Sequence, residues 1–167
     1  MVSNFKTFKY GNNYKTNMII LGKRRDLTDP ETWKYMISVG ADIHVDNNCA
    51  LVWVFKNGYL VVVKYLIEYR ADINAVEDAL FWASRNGHLE VVKYLIESGA
   101  NIHADDDFAL RLPCGEGYLK IIKCLLENGA NIHAKNDDAF TLAYENEHFE
   151  IVQYLLKHKK DYDKVKN

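Results

Sequence analysis

His44, His103 and His133 lie 59 and 30 residues apart, near multiples of one interval, and imidazoles in register are the raw material of zinc sites. The acids close to them could hold calcium or pair for acid–base work: Glu77 and Asp78, the run Asp105, Asp106 and Asp107, and Asp137 and Asp138. Cys49, Cys114 and Cys124 could add thiolates. Spacing argues against each of these chemistries. Residues one packed helical unit apart are separated by roughly 8–10 Å, whereas a metal ligand must approach its ion to about 2 Å. The histidines are better suited to bonding turn backbone, as Asn74 would at the same position. The acids stand just ahead of helix-forming segments, where a carboxylate caps free N–H groups and meets the favourable end of the helix dipole. Three cysteines without CxxC spacing fit reduced thiols. The chain has no glycine-rich phosphate loop, no G-x-S-x-G and no H-E-x-x-H. The reading is therefore no enzyme, no cofactor and no metal.

What the chain does contain is one phrase restated. "NGYLVVVKYLIEYRADINA" from Asn57, "NGHLEVVKYLIESGANIHA" from Asn86 and "EGYLKIIKCLLENGANIHA" from Glu116 begin at intervals of 29 and 30 residues. A sustained period of this length marks stacked units, each needing its neighbour to bury an apolar face. Within a unit, Leu89, Val92, Leu95 and Ile96 make a helical stripe, with Glu90, Lys93 and Glu97 opposite. Gly99 follows as a left-handed helix end, matched by Gly129 but by Arg70 and Lys159 elsewhere. Upstream, "DALFWASRNGH" predicts a shorter first helix with Leu80, Ala83 and Ser84 inward. Pro113 should shorten or kink the corresponding helix of its unit.

The order "ALFWASRNGHLEVVKYLIESGANIHA" resembles the ankyrin repeat, and its wording is similar to the shortened repeats of giant amoebal DNA viruses. The likeness covers about residues 41 to 160. It implies an all-α fold: an ankyrin-repeat solenoid of stacked antiparallel helix pairs joined by short, turn-like hairpins. Units are expected at 41–70, 71–99, 100–129 and 130–160, the last a cap, with a degenerate cap at 18–40 and residues 1–17 unassigned; the repeat domain spans 18–167. In the cap, Asp29 should close the helix start, Pro30 take the first helical position, and Trp33, Met36 and Ile37 form the stripe. The chain departs from the family pattern T-P-L-H where Val52, Phe81, Arg111 and Thr141 replace its histidine, leaving Thr141 as the side chain expected to bond the backbone.

The resemblance implies a protein partner, held on hairpin tips and on the concave face of the first helices. Trp53, Trp82 and Leu112 share a position there, with Asn57, Asn86 and Glu116 one turn later. The tips are Asp46, Asn47, Val76, Glu77, Asp105 and Asp106. The competing reading of the tryptophans is packing between units. Composition agrees with a binding module: 49% hydrophobic residues can bury a core, and a formal charge of −2 gives no general reason for a nucleic-acid or membrane partner. The alternative is nucleic-acid binding through the basic terminal units, since residues 1–40 hold seven Lys/Arg against three acids and residues 149–167 five against three. With no apolar run of about 18 residues and no signal-like start, a monomer inside the cell is expected, in the host cytoplasm if the viral likeness holds.

Overall fold

The two central phrases each build two helices because glycine stops them twice, at Gly87 and Gly99 and at Gly117 and Gly129. The computed structural model describes residues 17–20, 23–26, 28–38, 45–68 and 74–166, with side chains for 28–38, 51–68 and 79–159. The first helices are α2 (Val45–Asn57), α4 (Asn74–Arg85), α6 (Ala104–Glu116) and α8 (Ala134–Glu145). The second helices are α3 (Leu60–Glu68), α5 (Leu89–Glu97), α7 (Leu119–Glu127) and α9 (Phe149–Lys166), preceded by α1 (Pro30–Ser38). Helices α2, α4, α6 and α8 pack in one row and α1, α3, α5 and α7 in another. The described fold is thus an all-α stack, to which a small antiparallel hairpin is added, β1 (Asn17–Ile20) against β2 (Lys23–Asp26).

Equivalent residues form columns through the stack. Met36, Leu66, Leu95, Leu125 and Leu155 are one buried column, and Trp33, Val63, Val92, Ile122 and Val152 another. Helix α1 therefore aligns with the second helices. At its start the Asp29 carboxylate accepts from the N–H groups of Glu31 and Thr32, the cap expected there. Val91 joins Val92 and Leu95 in the core, whereas Leu89 and Ile96 are only half-buried, so the inward stripe lies slightly further round the helix than the sequence suggested.

The turn inside a unit closes by a six-to-one bond, as from His88 N–H to Ala83 O at 2.9 Å and from Tyr118 N–H to Pro113 O at 2.9 Å. Pro113 takes the inward position of Val54, Ala83 and Ala143 and is buried. Helix α6 runs on to Glu116 with non-helical dihedrals only at Asp105–Asp107, so the expected kink is absent. The glycine in this turn has two reasons. Gly87 has φ +83°, and a Cβ there would lie 2.8 Å from the ring of Tyr118 in the next unit. In the last unit Glu147 takes the position, also with positive φ.

Between units the connection is a left-handed turn of non-glycine residues: Asp105, Asp106 and Asp107 in one case, Lys135, Asn136 and Asp137 in the other, with φ between 49° and 61°. Left-handed backbone is costly for such residues, so other groups must fix it. Arg111 does so in the first case, donating to the carbonyls of Asp105 and Asp106 at 3.2 and 3.4 Å. This corrects the expectation for that position: Thr141 is exposed, and Arg111 bonds the turn backbone. Where Lys159 stands in place of Gly99 and Gly129, the chain does not turn and α9 continues through 18 residues.

Candidate functional site

The pairs that replace the family's threonine and histidine explain how units are matched. Phe81 stacks on Phe108 of the next unit with ring centroids 5.0 Å apart. One unit on, the same two positions hold Arg111 and Asp138, whose Nε–H donates to Oδ2 at 2.6 Å. One rung is apolar and the next ionic, and both close the same gap. Arg111 also lies over the Phe108 ring, its Cζ 4.8 Å from the centroid. The histidines of the G-H turn reach back instead: His88 Nε2–H donates to Lys56 O at 2.8 Å and His148 Nε2–H to Gly115 O at 2.9 Å.

The His103 and His133 imidazoles bond carboxylates of the turn that follows, where bonds to turn backbone were expected. His103 Nδ1 donates to Asp107 at 3.0 Å and His133 Nδ1 to Asp137 at 2.7 Å. Buried Asp107 also accepts from Asn131 N–H of the next unit at 2.7 Å, and Asp137 from Lys159 Nζ at 2.6 Å. The Lys159 hydrogen bond is the main reason that the Asp137 carboxyl is held below its ordinary range, with His133 adding to it against partial burial. These acids thus tie turns and units together where caps on the first helices were expected. Among the described residues no group of three or more His, Cys, Asp or Glu could hold a metal. Cys114 is buried, donates to Leu110 O, and has its pKa pushed up to about 12 by burial and then by Asp138; Cys124 is also raised, chiefly by burial. Both are free thiols.

The outer row carries a ladder. Lys34 lies over Tyr65, Lys64 over Tyr94 and Lys123 over Tyr154, at 5.8, 5.3 and 5.2 Å, each lysine reaching the tyrosine of the following unit. At the Lys93 rung Cys124 stands at the tyrosine position, and Lys93 pairs with Glu90 of its own helix at 2.9 Å. Cys124→Tyr should complete it and raise the unfolding free energy by about 0.5–1 kcal/mol, read as a higher denaturant midpoint. An unchanged or lower midpoint would show that the ladder is incidental.

On the inner row, Trp53, Trp82, Leu112 and Leu142 are all half-buried. Trp53 stacks on Tyr59, centroids 4.9 Å apart. Trp82 has Lys56 Nζ and Arg85 Cζ each 5.8 Å from a ring centroid, one from each of two adjacent units. Asn57 and Asn86 donate their amides to the carbonyls of Trp53 and Trp82 at 2.8 Å, closing the helix ends and leaving each amide oxygen as an acceptor. Glu116 lies 4.0 Å from Arg85. Exposed charges along this row therefore change sign: Lys56 and Arg85, then Glu116 and Glu145. The sequence reading found the tryptophans but missed these cations and Glu145, although all recur beside the same repeated position. Asp105 and Asp106 are exposed in their left-handed turn. Asp46 and Asn47 lie in α2 and Val76 and Glu77 in α4; the side chains of all four, with those of His44, Cys49 and Asp78, fall outside the described residues. The basic segments near the two ends of the sequence lie in β2 and in the C-terminal half of α9.

A family model of ankyrin repeats in three copies matches residues 25–106 and 105–166. The chain belongs to the ankyrin repeat family. Ankyrin repeats are generally non-catalytic protein-interaction modules. Among curated proteins this ankyrin chain is similar to several from Acanthamoeba polyphaga mimivirus. Ankyrin repeat protein R868 is 45% identical over 58 residues, 35% of this chain and 28% of that protein. Protein R869 is 52% identical over 54 residues, 32% and 39% respectively. Ankyrin repeat protein R838 is 41% identical over 73 residues, 42% and 26%. The matched stretches thus cover well under half the length of these viral relatives. No described helix of the ankyrin stack is long and apolar enough to cross a membrane.

Proposed function

We propose that this chain binds a protein partner on the inner row of its first helices, with Trp53 and Trp82 as anchors and the charges beside them setting orientation. The observation that carries this reading is Trp82, half-buried, with two exposed cations over its ring and two exposed glutamates further along the row. Tryptophan and arginine dominate binding hot spots, and a change of charge along a surface favours one direction of docking. The segment that fits would lay acidic residues over Lys56 and Arg85 and basic ones over Glu116 and Glu145. Its contacts would extend to the turn at Asp105 and Asp106. The mimivirus relatives support a partner from the host cell, met in its cytoplasm.

Hydroxyl-radical footprinting tests the face once a partner has been purified from amoebal cells. Oxidation of Trp53 and Trp82 should fall in the complex while that of Tyr94, on the outer row, stays the same. Protection of Tyr94 with the tryptophans unchanged would place the partner on the other side and defeat the reading.

A further inference from the structure

Five exposed residues of α9 form a pattern that reads alike from either end. Phe149, Glu150, Gln153, Leu156 and Lys157 are exposed, while Ile151, Val152 and Leu155 enter the core. Phe149 and Leu156 are seven residues apart, as are Glu150 and Lys157, so each pair lies along one side of the helix about two turns apart. Gln153 lies between the members of both pairs. If a second α9 crosses antiparallel at Gln153, Phe149 of each copy meets Leu156 of the other, and Glu150 meets Lys157. A two-fold axis makes each contact twice.

The surroundings of this strip also call for a cover. Tyr144 is 60% exposed, whereas Phe55, Ser84 and Cys114 at the same position of earlier units are buried. Leu156 is 44% exposed against 7% for its counterpart Leu126. The rings of Phe140, Tyr144 and Phe149 follow one another at 6.3 and 6.4 Å, so the uncovered surface is continuous. It extends the interface already made between units. Charge then selects the orientation. Glu145, Glu147 and Glu150 gather at the start of α9, whereas residues 157–166 hold five lysines and two aspartates. Antiparallel helices set these opposite signs together, and parallel ones would set like against like.

We propose that a second copy of this chain covers this end, α9 against α9, in a two-fold homodimer; this replaces the monomer expected from sequence and is independent of the inner row. Sedimentation equilibrium across a range of concentrations tests it. The parent chain should dimerise, and Leu156→Glu should remain monomeric. Glu150→Lys and Lys157→Glu alone should each weaken the dimer roughly tenfold or more, because every change acts twice. The Glu150→Lys/Lys157→Glu double variant should regain parental association, since the pair is reversed across the axis. All three positions are exposed, and circular dichroism on each variant checks that it is folded. A parent that stays monomeric would overturn the proposal, as would a double variant no tighter than the singles or a Leu156→Glu chain that still dimerises.

Discussion

Arg111→Ala is expected to lower the unfolding free energy by about 3 kcal/mol. The guanidinium is 7% exposed and Asp138 27%, so truncation leaves a largely desolvated carboxylate without its cation. It also removes the cover over Phe108 and the donors that fix the left-handed carbonyls of Asp105 and Asp106. The neighbouring rung suggests the rescue. Arg111→Phe with Asp138→Phe copies the Phe81–Phe108 stack, and exchanging a buried ion pair for apolar groups of suitable shape is often neutral. The double variant should recover most of the loss in urea melts. A double variant as unstable as Arg111→Ala would mean that the two rungs are not equivalent.

Leu95→Ala should cost about 2–5 kcal/mol, because its side chain is fully buried between Leu66 and Leu125 in one of the two five-residue apolar columns. The loss is set by how far the adjoining units can close the cavity, and a stack held from both sides closes little. Calorimetry or denaturant melts would read it. A midpoint equal to the parent's would remove Leu95 from the core.

The period and the glycines made the helix pairs legible before any coordinate, because a repeated helix must repeat its buried residues. Asp29 and Pro30 likewise announced α1, since capping is local chemistry. Three features were not legible for a common reason. The left-handed turns use Asp, Asn and Lys where glycine would signal such backbone most plainly, and they are held by His103 beside the turn and by Arg111 and Lys159 from further along the chain. The Arg111–Asp138 bond joins residues 27 apart, beyond any local pattern. Pro113 lies in a stretch whose dihedrals stay helical, and its ring occupies a core position that only the stack defines. On the inner row the tryptophans stood out by type, whereas the cations beside Trp82 needed the neighbouring unit in place.

The most direct test of the inner face as a binding surface compares Trp82→Ala with the parent in two readings, thermal stability and affinity for the purified partner. A binding anchor truncated to alanine commonly costs 2 kcal/mol or more, about thirtyfold in affinity, and a half-buried ring should cost the fold less than that. The predicted result is therefore a thirtyfold weaker complex with a modest fall in melting temperature. A folded Trp82→Ala protein that binds as tightly as the parent, after a stability loss of about 3–5 kcal/mol typical of a core aromatic, would contradict it.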